Sequence, residues 1–305
     1  MGVYDMTEFL KSIFYGIVEG ITEWLPVSST GHMIILDEIL PMSVSEAFWE
    51  MYLVVIQLGA ILAVVLLFWG QLWPFTTPGK AESGKKNNAH SGKSVGFFKN
   101  CPAALHPILP YIKVDTWIMW FKIVAACVPA AIVEIVWGDV LEAAFYHYQV
   151  VAVMLILVGI VFLAVERWNQ KQTAKVTTIA EISYHQAFLI GMFQLIAAVF
   201  PGTSRSGATI IGALILGLSR TVAAEFTFFL AVPVMFGASL MKVLDFGFHF
   251  SGYELGMLLA GMVTAFIVSL LVIRFLLNYI RQHDFKPFGW YRIILGIVIL
   301  LYFGV

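Results

Sequence analysis

The chain has 305 residues, of which 60% are hydrophobic and 12% charged, and its mean hydropathy is +0.87. These values exclude a soluble globular domain and indicate an integral membrane protein. A formal net charge of -1 speaks against nucleic-acid binding. The two cysteines, Cys101 in a Lys-rich loop and Cys127 in an apolar run, exclude a disulfide or cysteine–metal framework.

Asp5 and Glu8 precede the first apolar run, so no cleavable signal is expected. Residues 9–40 are apolar but broken in the middle by Pro, Gly and hydroxyl residues. Each half holds roughly 8–15 apolar residues, short of the ~20 that a helical span needs. The expected structure is a re-entrant helix-loop-helix hairpin. Irregular backbone at that depth must be buried in protein or line a wet cavity. Spans are expected at 47–69, 117–137 and 148–165. Between the first two lies a polar stretch, 76–114, rich in Gly, Lys, Asn and Ser and expected to be a flexible cytoplasmic loop. Residues 185–218 repeat the broken pattern as a second re-entrant hairpin. Spans at 223–244, 255–277 and 290–305 follow. The fold class is therefore an all-α polytopic membrane protein, with about six transmembrane helices and two hairpins in one domain over 1–305.

Lys80, Lys85, Lys86, Lys93, Lys99 and Lys113 fill the long loop, and Arg167, Lys171 and Lys175 follow the third span. Arg220 and the turn from Arg281 to Lys286 fall on the same side, whereas the other side has little beyond Lys11 and Lys242. The basic side should be cytoplasmic. Both termini then lie outside; the first hairpin enters from outside and the second from inside. Lys122, Arg274 and Arg292 lie near span ends, where long cationic side chains are expected to snorkel.

The two hairpins align without a gap. Gly16 matches Gly191, Glu19 matches Gln194, Pro26 matches Pro201, Ser29 matches Ser204, and Glu50 matches Glu225. One hairpin plus three spans makes each half, 1–168 and 183–305. An odd number of spans inverts the second copy, so the two polar loops should meet.

Those loops read Glu19-Gly-Ile-Thr-Glu23-Trp-Leu-Pro-Val-Ser28-Ser29-Thr30-Gly31-His32 and Pro201-Gly202-Thr203-Ser204-Arg205-Ser206-Gly207-Ala-Thr209. Charged groups at membrane depth are functional candidates by default. Glu19 and Glu23 share one helix face. Such a pair shares a proton or holds a cation, and Mg²⁺ or Ca²⁺ prefers oxygen ligands. Ser29 is a candidate nucleophile or phosphate contact, with Ser28 and Thr30 as donors; a serine hydroxyl needs a base beside it. His32 is that base or acid, or itself the group that attacks phosphorus. The Arg205 guanidinium matches phosphate oxygens. Gly202 and Gly207 allow tight turns, Thr203, Ser204 and Ser206 add donors, and the helix that follows favours an anion at its N-terminus. Glu50, Gln57, Glu134 and Glu225 either line a cavity or bridge helices.

With both strings in place, the chain resembles the undecaprenyl-diphosphate phosphatase family, also called the bacitracin-resistance type. Further matching features are Glu225-Phe-Thr-Phe-Phe-Leu-Ala-Val-Pro233 and Phe288-Gly-Trp-Tyr-Arg292. The resemblance implies a bacterial plasma-membrane hydrolase that removes the terminal phosphate of undecaprenyl diphosphate, with its site open to the outer face. It makes Glu19 and Glu23 the acidic pair, Ser29 and His32 the reacting region, and Ser204 and Arg205 the phosphate loop. A divalent cation, the lipid substrate and the bilayer are the expected partners, and self-association is left open. The competing class is a transporter or flippase for a lipid phosphate or another anion, which the inverted repeat and broken helices favour. A carrier has no clear need for the Glu pair, Ser29 and His32.

Overall fold

The structure is a computed structural model that describes residues 3–76 and 111–304. Most of the expected cytoplasmic loop, with Cys101 and five of its lysines, lies outside the described residues. In chain order the helices are α1 (Val3–Thr22), α2 (Ser29–Ile39), α3 (Glu46–Leu67), the short α4 (Trp69–Leu72), α5 (Val114–Phe145) and α6 (Tyr148–Asn169). After a 3₁₀ turn at Ile179–Glu181 come α7 (Tyr184–Val199), α8 (Arg205–Ile215), α9 (Arg220–Phe246), α10 (Gly252–Ile280) and α11 (Lys286–Phe303). Among the described residues, strand pairing is limited to isolated bridges.

The chain is an all-α polytopic membrane protein. Among the described residues, six helices, α3, α5, α6, α9, α10 and α11, are long and apolar enough to cross a bilayer. Local sequence sets their starts. Ser45, Ser219 and Ser251 accept hydrogen bonds from the backbone N–H three residues on. Ser183 with Gln186 and Ser251 with Glu254 complete capping boxes.

Both hairpin regions form helix–loop–helix units: α1 and α2 around Glu23 to Ser28, and α7 and α8 around Phe200 to Ser204. One length differs from expectation. Helix α1 starts at Val3 and runs 20 residues, about 30 Å. Glu8, Ser12 and Glu19 on it are buried, so protein rather than lipid covers that face.

Packing relates the halves by exchange. Helix α1 packs on α10 while α7 packs on α5; α3 packs on α10 while α9 packs on α5. The pairs α3–α9 and α6–α11 bridge the halves. The close contacts need glycine. A Cβ on Gly16 would strike the Gly261 carbonyl, and one on Gly191 would strike the Ala126 carbonyl. Gly159 and Gly289 let α6 and α11 touch backbone to backbone. Small residues are how helices approach closely where no hydrophobic force separates protein from lipid. The core lies between the halves, where the buried Trp24 indole stands edge-on to Phe228, 5.2 Å between centroids.

The cationic ends gather at one end of the bundle. The buried Glu166 accepts from Arg220 Nε at 3.0 Å and from the Phe285 N–H at 3.0 Å. Gln170 donates to Asp284. Lys122 does not snorkel: it is buried and its Nζ donates to the Ala180 carbonyl, 3.1 Å away.

Candidate active site

Each hairpin loop ends in a serine with left-handed backbone, Ser28 at φ 72° and Ser204 at φ 68°. Both immediately precede a helix, α2 and α8. The equivalent residues are therefore Ser28 and Ser204, not Ser29 and Ser204. The second loop carries one residue more after its proline, which an ungapped alignment misses.

The loops meet at Glu23. Its Oε1 accepts from Arg205 Nη2 at 2.6 Å, and its Oε2 accepts from the Ser29 hydroxyl at 2.9 Å. Ser206 donates to the Glu23 carbonyl and lies 3.1 Å from the Ser204 hydroxyl, which accepts from the Gly207 N–H. A cavity of about 610 Å³ opens over this junction. Glu23, Ser29, Thr30, Gly202, Ser204 and Arg205 line it, with Glu50 and Gln57 of α3, Glu134 and Glu142 of α5, and Lys242 of α9. Glu225 is not part of that wall.

Glu19 lies one turn below Glu23, 1% exposed, and its Oε1 has no hydrogen-bond partner in the protein. The hydroxyls of Ser28 and Thr203 and Arg205 Nη1 are likewise buried and unpartnered. Buried polar groups are normally satisfied; Trp24 Nε1, both amide atoms of Gln194 and Arg292 Nε are also unpartnered, and of the four groups above only Arg205 belongs to a residue of the cavity wall. Among the described residues no three acidic, histidine or cysteine side chains cluster to hold a metal ion by themselves, so a hard divalent cation here would need oxygens from phosphate or water as well. Glu19 offers an uncommitted carboxylate oxygen, whereas both Glu23 oxygens already hold protein groups.

His32 and Ser29 make no hydrogen bond to each other. Its Nδ1 lies 2.7 Å from the Ser28 carbonyl, and its Nε2 lies 2.7 Å from the Tyr291 hydroxyl on α11. The two rings are nearly parallel, 5.6 Å apart. Ser29 thus has the Glu23 carboxylate beside it. Both residues lie on α2, three apart, and spacing alone does not reveal that their side chains take different partners.

Arg292 reverses its sequence reading. It is 0% exposed and does not snorkel. Its Nη1 donates to the Pro26 carbonyl at 3.2 Å, and its Nη2 donates to the carbonyls of Gly202 at 2.8 Å and Thr203 at 2.7 Å. One side chain therefore ties both loops together. Gly207 makes room for it: a Cβ there would stand 3.2 Å from Arg292 Nη1. The signal was an arginine two turns inside an apolar helix, a depth at which an ionisable residue is costly.

The described "Bacitracin resistance protein BacA" family matches residues 12–298. The chain is 56% identical over 299 residues to "Undecaprenyl-diphosphatase" of Desulfitobacterium hafniense, covering 98% of this chain and 97% of that protein. It is 55% identical over 296 residues to "Undecaprenyl-diphosphatase 1" of Clostridium acetobutylicum, covering 97% of each chain. It is 53% identical over 297 residues to "Undecaprenyl-diphosphatase" of Enterococcus faecalis, covering 97% of this chain and 98% of that one. A match that runs through both loops and nearly all the helices between them leaves one assignment: this chain belongs to the bacitracin resistance protein BacA family.

Proposed function

We propose that this chain is an undecaprenyl-diphosphate phosphatase that hydrolyses the terminal phosphate of its lipid substrate and leaves undecaprenyl phosphate. The observation that carries the reading is the meeting of Ser29, Glu23 and Arg205 from two separate loops at one cavity. The relatives described above are named for this activity, which favours hydrolysis over the carrier reading.

The prenyl tail lies against the apolar helix faces while the diphosphate enters the cavity. Arg205 and the N-terminal amides of α8 neutralise phosphate charge. The terminal phosphorus is attacked by the Ser29 hydroxyl or by a water in its place. Glu23 Oε2 accepts the proton, and the anhydride P–O bond breaks towards the lipid phosphate. If Ser29 is the nucleophile, water then hydrolyses the phosphoserine. Glu19, through its unpartnered Oε1, would hold Mg²⁺ or Ca²⁺, which when bound offsets phosphate charge and polarises a P–O bond.

The site faces the extracytoplasmic side in this reading. Its wall residues Glu50, Glu142 and Lys242 sit at the ends of α3, α5 and α9 opposite the cationic ends, and basic ends face the cytoplasm. A membrane-impermeant thiol reagent should modify Lys242→Cys in intact cells; modification only after lysis would invert the orientation. The two halves are read as an inverted repeat with re-entrant hairpins, supported by their exchanged packing partners.

Metal dependence is the direct test of Glu19. Detergent-purified protein should release phosphate from a prenyl diphosphate with Mg²⁺ or Ca²⁺ and lose that release in EDTA. The cation should also raise the melting temperature of the wild type and not that of Glu19→Gln. An equal rise in both proteins would remove Glu19 from the cation site.

A further inference from the structure

The two left-handed serines are held by different means. At Ser204 the side chain caps its own helix, the hydroxyl accepting from the Gly207 N–H at 3.2 Å. At Ser28 no side-chain cap forms, and the buried hydroxyl has no partner. A non-glycine residue at positive φ is strained and persists only when its surroundings fix it. In the first loop the fixing contact comes from His32, whose Nδ1 lies 2.7 Å from the Ser28 carbonyl. A carbonyl can only accept. In neutral imidazole Nδ1 therefore carries the hydrogen, and Nε2 accepts from the Tyr291 hydroxyl at 2.7 Å. The one basic nitrogen of His32 is thus occupied and directed at α11, where Tyr291 is 46% exposed. His32 is absent from the cavity wall that holds Glu23, Ser29 and Arg205.

We propose that His32 is a positioning residue and not a proton-transfer group: its Nδ1–H holds the Ser28 carbonyl, as the Ser204 hydroxyl holds the second loop, and so leaves the first amides of α2, at Ser29 and Thr30 on the cavity wall, uncommitted for phosphate. Tyr291 fixes the tautomer that makes this bond. The inference rests on the phosphatase reading.

The test compares His32→Asn, His32→Gln and His32→Ala for phosphate release per folded molecule. An asparagine amide N–H occupies nearly the place of Nδ1–H, whereas a glutamine amide reaches the place of Nε2. His32→Ala should lower kcat about 100-fold, the scale of a misplaced reacting group. His32→Asn should recover most of that loss, with KM little changed, and His32→Gln should not. Asparagine as inactive as alanine, or glutamine the better replacement, would overturn the proposal. Should these variants not fold, ¹⁵N-histidine spectra of the wild type decide, with the His32 signal assigned by its displacement in Tyr291→Phe. The expected signature is a protonated Nδ1 and an unprotonated Nε2 that persist when pyrophosphate is added; a ring that gains or moves a proton would overturn it. A wild type that releases no phosphate fails the functional reading instead, while an active wild type with equal Asn and Ala losses fails only this inference.

Discussion

Glu23→Gln is expected to lower kcat for phosphate release by about 10³-fold, within the range that a positioned general base contributes. The amide keeps the side chain's shape and loses its charge and its basicity. Ser29 then donates to a group that cannot take its proton, and Arg205 loses the oxygen now 2.6 Å from it. The pair is nearly buried, at 14% and 8% side-chain exposure. Removing one partner also destabilises by up to ~3 kcal/mol, less than for a fully enclosed pair because the cavity is open to water. Ser29→Ala separates the two chemical routes. A comparable loss makes the serine oxygen the nucleophile, whereas near-normal turnover assigns that role to water. Kinetics on folded protein, with the melting temperature measured in parallel, distinguish these results from simple unfolding.

Arg292→Met is expected to destabilise the protein by roughly 3–5 kcal/mol and to abolish turnover. Methionine fills much of the space but leaves the carbonyls of Pro26, Gly202 and Thr203 buried and unpaired. An unsatisfied buried acceptor costs about 1–3 kcal/mol, and three are affected. Part of that cost is offset because a guanidinium bonded to backbone carbonyls no longer has to be buried. Arg292→Lys keeps the charge without the planar fork, so it should recover stability in part. The measurement is thermal unfolding in detergent, with amide hydrogen exchange at residues 27–30 and 202–207. Faster exchange in both loops is the expected result; wild-type unfolding in the Met variant would show that the carbonyls find other donors.

What the sequence reveals here follows from how each feature is encoded. Spans are encoded by composition along a single helix, and so α3, α5, α6, α9, α10 and α11 fall where apolar runs predict them. Pro26 and Pro201 with their glycines mark the loops for the same local reason. Glu23, Ser29 and Arg205 stand out as polar groups in an oily chain, and the structure brings them together. The illegible parts depend on side-chain direction set by packing. His32 follows Ser29 by three residues yet turns to Tyr291. Arg292 and Lys122 look like interfacial cations, but neighbouring backbone carbonyls lie within reach and draw them inward. The extra residue in the second loop is hidden because Ser28 and Ser29 are adjacent, and either can be matched to Ser204 until φ is known.

The most direct test of a phosphatase site shared between two loops is phosphate release from a prenyl diphosphate by the purified wild type, Glu23→Gln and Arg205→Ala, side by side with Mg²⁺ present. The account predicts release by the wild type and its near-complete loss in both folded variants, one from each loop. Release that survives in folded Arg205→Ala would contradict it, because the second loop would then take no part in the chemistry.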